Sequence, residues 1–136
     1  MGGLDARYAL ARLGVANRVA SLTTIGTPHR GTPLADLGDN LLAAVVTKVL
    51  GAAGLDIGAF AECQTEEMLR FNEEIGDQKG VFYGSVVASV SSTRRGLNPV
   101  LRGTHAYLLR HSGENDGLVP KNSQAWGHVL CELDAD

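Results

Sequence analysis

Two short runs of β-branched and apolar residues constrain the fold more than anything else in the chain. Residues 18–25 (RVASLTTI) and 81–90 (VFYGSVVASV) are almost free of charge. The first reads as a strand buried on both faces, the habit of a parallel sheet, and the second as another strand. A third short run, 128–133 (HVLCEL), reads as a last strand. Helical patterns separate them. Residues 3–13 place Leu4, Tyr8 and Ala11 at helical spacing, with Asp5 in the first turn and Gly14 as a stop. Residues 34–54 form a long, alanine-rich apolar helical stretch, and residues 65–75 (TEEMLRFNEEI) read as a helix with Thr65 as N-cap. A short helix is expected over 104–110. Strands alternating with helices predict an α/β protein with a mostly parallel sheet and flanking helices. The connections are marked by composition: two prolines and two glycines within 26–33, a polar stretch with Arg94 and Arg95 within 91–103, and turn residues through 111–121.

The chain has 136 residues, the length of one domain, and 44% of them are apolar. Its net charge is −3 and it has no basic run, so nucleic acid is not an expected partner. No uncharged apolar stretch reaches membrane-spanning length, and the N-terminal residues carry Asp5 and Arg7 with no apolar run of the signal-peptide kind. Cys63 and Cys131 lie too far apart for a metal-ligand pattern and are expected as buried free thiols. No G-x-S-x-G occurs, and Ser85, flanked by Gly84 and Val86, falls inside a predicted strand. No other serine stands in a nucleophile's setting.

Three segments carry a family resemblance. The first is M-G-G-L-D-A-R-Y at 1–8, which looks like the half of a nucleophile elbow that follows the serine. The second is S-L-T-T-I-G-T-P-H-R-G-T-P-L-A-D at 21–36. The third is E-N-D-G-L-V-P at 114–120, followed by S-x-x-W-G at 123–127. In this order and spacing the chain resembles bacterial lipases and esterases of the α/β-hydrolase fold that hydrolyse acylglycerols. The resemblance implies the C-terminal part of that fold: one incomplete domain over 1–136, with a lid-like helical region at 34–76. It implies that Asp116 is the triad acid, and that Met1 occupies the position whose backbone N–H forms half of the oxyanion hole. It also implies a lipid or ester substrate for the parent.

The resemblance implies equally what these residues lack. The serine, with the Gly-His before it, and the catalytic histidine fall outside the segment, so the chain alone is expected to be inactive. The alternative is a non-catalytic remnant, or a half of a hydrolase that binds an apolar ligand or a partner. Unpaired strand edges predict self-association. Of the histidines, His29 is expected to be structural, His128 to sit at the wrong end of its strand, and neither His105 nor His111 to replace the missing base. Asp134 and Asp136 do not make a calcium site, and no metal or cofactor is expected.

Overall fold

The computed structural model describes residues 1–37, 44, 46–48, 51, 54, 57–90 and 97–134. Three strands, β1 (Ser21–Ile25), β2 (Phe82–Ser89) and β3 (His128–Asp134), lie in that order in one sheet, and both pairings are parallel. Ser21 pairs with Phe82 and Ile25 with Val86. On the other side Gly84 pairs with His128, and the register slips between Ser85 and Val86. Parallel neighbours require long crossovers, and the helices supply them.

Helix α1 (Gly2–Arg12) buries Leu4, Arg7 and Leu10, one stripe at helical spacing. It lies so close to the end of β1 that a Cβ on Gly3 would collide with the side chains of Thr24 and Thr27. Only glycine lets the helix approach this near. Gly14, at φ 66°, ends the helix in the left-handed region, as its sequence position suggested.

Helices α2 (Ile57–Ala61) and α3 (Thr65–Glu74) follow in the first crossover, and α4 (Arg102–Ser112) and α5 (Lys121–Gln124) in the second. Leu4, Cys63 and Met68 form one buried cluster, flanked by Ala35 and Phe71. Leu34, Val46 and Leu108 form another, flanked by Leu37, Phe60, Tyr107 and Leu118.

Three expectations need correction. Thr65 is not the N-cap of α3. Gln64 holds that place, with no side-chain cap of its own. The Thr65 N–H and hydroxyl instead both donate to the Asp36 carboxylate, each at 2.8 Å, so a remote acid supplies the acceptors that a local cap would have given. Second, the strand at 18–25 is not buried on both faces. In β1 only Thr24 is buried, and Ile25 is 72% exposed. The central strand β2 buries Tyr83, Gly84 and Ser85 in succession, whereas β3 is exposed throughout. The physical reason is position: among the described residues β1 and β3 are the two edges of the sheet. Third, and for the same reason, Cys131 is an exposed thiol on β3, while Cys63 is buried as expected.

Most of the 34–54 stretch, together with Arg94, Arg95 and Asp136, lies outside the described residues. Of that stretch, Ala35–Leu37 forms a single 3₁₀ turn, and Leu34 and Val46 are buried.

Candidate active site

Asp116 follows α4 in a turn secured from several sides. The Val90 N–H, just past β2, donates to the Asn115 carbonyl at 2.9 Å. Asn115 is fully buried; its Oδ1 accepts the Gly117 N–H at 2.9 Å and its Nδ2 donates to the Gly113 and His105 carbonyls. Asn-Asp-Gly is ordinary turn chemistry, and here both polar residues bind their own backbone. Asp116 Oδ1 accepts the N–H groups of Leu118 at 2.9 Å and Val119 at 2.8 Å. Oδ2 accepts from Gln124 Nε2 at 3.2 Å.

Burial pushes the Asp116 carboxyl above the usual aspartate range, and the backbone N–H groups of Val119, Leu118 and Asp116 itself pull against that rise. A Cβ on Gly26, the residue after β1, would come within 3.9 Å of Oδ2. The carboxylate therefore stands beyond the C-terminal ends of β1 and β2, where open α/β sheets carry their sites.

Met1 occupies the N-cap place of α1, and its carbonyl accepts the N–H of Leu4 at 2.7 Å. A helix N-terminus concentrates free N–H groups and positive potential. A cavity of about 170 Å³ joins this corner to the Asp116 turn. Its walls include Met1, Gly26, Phe60, Cys63, Leu118 and Val119, a mostly apolar set. Cys63 Sγ lies 3.1 Å from Met1 Sδ. Burial raises the Cys63 pKa, so the group sits there as a thiol and not as a nucleophilic thiolate.

His29 is close by in the fold but differently employed. Its ring is fully buried, with Nδ1 3.3 Å from an Arg7 guanidinium nitrogen and Nε2 2.9 Å from Thr24 Oγ1. A guanidinium has only donors, so Nδ1 must accept and Nε2 must carry the proton that goes to Thr24. Thr24 passes its own proton to the Gly84 carbonyl at 3.5 Å. Desolvation first, and then the charges of Arg7 and Arg30, lower the His29 pKa to about 3. With its lone pair occupied, His29 cannot act as a base.

Arg7 is the hub of this cluster. It donates to Asn72 Oδ1 at 2.8 Å and to the Ile75 carbonyl at 3.0 Å, and lies 3.6 Å above the Trp126 ring. The S-x-x-W-G pattern thus has a structural meaning. Ser123 Oγ donates to the Gly31 carbonyl at 2.6 Å and accepts from the Arg30 N–H, which clamps the 26–33 loop. Trp126 stacks on His29 and holds Asp77 through its indole N–H.

His128 and Ser85 lie in the strands in which the sequence placed them. His128 begins β3, at the opposite end of the parallel strands from Asp116, and stacks on Phe82. His111 is exposed on α4 against Tyr107. His105 is buried, with Nε2 turned to the Val90 carbonyl. Ser85 is fully buried in β2. Among the described residues no three His, Cys, Asp or Glu side chains gather as a metal site would require. Two features escaped the sequence: the Arg7 hub, because a charged residue on a helix normally reads as surface, and Gln124, an unremarked position inside the S-x-x-W-G pattern.

No protein-family model matches the chain. Over 139 aligned positions it is 36% identical to triacylglycerol lipase 2 of Saccharomyces cerevisiae, covering 98% of the chain and 40% of that protein. Among solved structures, the mature form of Bacillus licheniformis lipase BlEst2 matches with a TM-score of 0.77 at 25% identity, over 98% of this chain and 55% of that one. The metagenomic carboxyl esterase MGS0156 matches with the same TM-score at 23% identity, over 99% of this chain and 42% of that one. The chain has the fold of the α/β-hydrolase lipases and esterases. Along nearly its whole length it is similar to part of a triacylglycerol lipase, and it spans about half or less of each of these relatives.

Proposed function

We propose that these residues supply the acid of a Ser-His-Asp triad, and one oxyanion-hole position, in a carboxylester hydrolase that acts on acylglycerol esters. The observation that carries this reading is the Asp116 carboxylate. It is half-buried, anchored through Oδ1 by two backbone N–H groups, and set with Oδ2 beside Gly26 at the C-terminal end of the sheet. In that reaction a serine attacks the ester carbonyl while a histidine takes its proton. Asp116 accepts the imidazole Nδ1–H and stabilises the imidazolium, and water then releases the acid. The backbone nitrogen of Met1, at the head of α1, faces the developing oxyanion. Helix α2 and the residues after it, which wall the cavity at Met1, act as part of a lid over the 34–76 region. The negative net charge argues against nucleic acid as a partner.

Neither a G-x-S-x-G serine nor a histidine hydrogen-bonded to Asp116 is found among the described residues, so the 136-residue chain by itself is expected to be inactive. The pure chain, assayed with a short p-nitrophenyl ester and a serine-directed phosphonate, is expected to give neither turnover above buffer nor covalent labelling. In a longer chain that carries Gly-His-Ser ahead of Met1 and a histidine after Asp136, Asp116→Asn is expected to lower kcat on the order of 10⁴-fold. Full activity in that variant would remove Asp116 from the triad.

The apolar cavity favours one second reading, a half-domain that binds an apolar ligand without chemistry. Saturable binding of a short acyl chain by the isolated chain, without hydrolysis by the extended one, would select it. The two sheet edges, with Ile25 on β1 and Val129, Leu130 and Leu133 on β3 all exposed, support self-association of the isolated chain. Light scattering that shows a stable monomer at high concentration would count against it.

A further inference from the structure

An ionised carboxylate has about four acceptor sites, two on each oxygen. At Asp116 the Leu118 and Val119 N–H groups fill both sites on Oδ1, and Gln124 Nε2 fills one on Oδ2. A single site remains. Which way it points depends on what holds Oδ2.

Gln124 is fully buried at the end of α5. Its Oε1 accepts the Ala88 N–H at 2.7 Å, and its Nε2 donates to the Ala88 carbonyl at 3.0 Å. One side-chain amide thus pairs with both backbone groups of a β2 residue, as a neighbouring strand would. β1 cannot do this, because its last pair is Ile25 with Val86. The same Nε2 donates to the Val119 carbonyl at 3.1 Å and to Asp116 Oδ2 at 3.2 Å, so its two hydrogens serve three acceptors. Rotating the amide by half a turn would set Oε1 against those three acceptors and an NH₂ against the Ala88 N–H. Only one orientation is satisfied.

We propose that Gln124 is a positioning residue for Asp116: it ties Oδ2 to the backbone of β2, leaving the one open acceptor site beside Gly26 for the Nδ1–H of an imidazole. This rests on reading Asp116 as the triad acid. The carboxylate direction is then set by the rigid sheet as well as by the turn. Gly26 completes the arrangement, since its missing Cβ leaves the space beside Oδ2 open. A glutamate at 124 would lose the donor and set a second carboxylate against Asp116. A leucine would keep the bulk and lose every bond.

The test is a carbon-13 titration of the Asp116 carboxyl in the 136-residue chain, with and without added imidazole. Wild type, Gln124→Leu and Gln124→Glu are compared. Loss of the donor is expected to raise the Asp116 midpoint by about one pH unit in Gln124→Leu, and further in Gln124→Glu, where a like charge adds to it. Imidazole is expected to shift the wild-type carboxyl resonance, and to shift it less in both variants. A role confined to bracing Ala88 would move the β2 amide resonances and leave the Asp116 midpoint where it was. That result, in folded protein, overturns the proposal. Should Gln124→Leu fail to fold, Gln124→Met, which also removes the donor without adding a charge, takes its place. A wild-type carboxyl blind to imidazole, alongside a clear effect of Gln124, would instead remove the triad reading and leave the hold of Gln124 on Asp116 standing.

Discussion

His29 and Asp116 stand at the same end of the sheet, both largely withdrawn from water and both with hydrogen-bonded side chains, yet they are finished differently. Every ring nitrogen of His29 is used: Arg7 takes the lone pair and Thr24 takes the proton. Asp116 keeps one acceptor site unfilled. A buried polar group whose capacity is exhausted stabilises the fold and does nothing else. One with capacity left over costs stability and is available for chemistry. The Pro-His-Arg-Gly loop therefore contributes a staple, and the Asn-Asp-Gly turn contributes a reactive-site candidate.

The largest effect is expected at Arg7. Arg7→Ala removes the cation beneath Trp126 together with bonds to Asn72, Ile75 and His29, and strands their acceptors. A loss of about 3 kcal/mol or more is expected in urea unfolding. A loss under half of that would mean that the cluster is not a staple.

Acid comes next. His29 is neutral in the fold down to about pH 3, whereas in the unfolded chain it takes a proton near 6.5. Between those values the unfolded state binds more protons. The His29 contribution is therefore complete above pH 6.5 and is lost as the pH falls toward 3, at up to about 1.4 kcal/mol per pH unit. His29→Gln should flatten that part of the stability profile. Asp116 works with the opposite sign: its raised pKa lets the folded state bind the extra proton, so its penalty is relieved on acidification.

Gly26→Ala tests the space beside Asp116. The residue has φ 59°, which disfavours a side chain, and the new methyl would touch Oδ2. A loss of about 1–2 kcal/mol is expected, with reduced access of imidazole to the carboxyl. The smallest effect is Asp116→Asn, which removes a half-buried charge but sets an NH₂ against Gln124. Its net change is expected to stay within about 1 kcal/mol of zero by thermal unfolding. A large loss would mean that the carboxylate serves the fold and not a reaction.

Much of this was legible in the residues. The helix and strand periods gave the alternation and the three strands, because short uncharged β-branched runs have few other uses. Gly14 and the Asn-Asp-Gly turn announced their backbone conformations locally. The capping of α3 was not legible, because Asp36, 29 positions before Thr65, provides it. Nor was the burial of Arg7, whose partners lie 22, 65 and 68 positions away.

What the sequence determined alone is whatever depends on neighbours along the chain: helical faces, strand propensity, turns, and the order of motifs that carries the likeness to lipases. The tertiary structure decided which polar groups have spare capacity. Hydrogen-bond satisfaction is counted over all neighbours in space, so it took the packed chain to show His29 closed off and Asp116 held by Gln124 with one site to give.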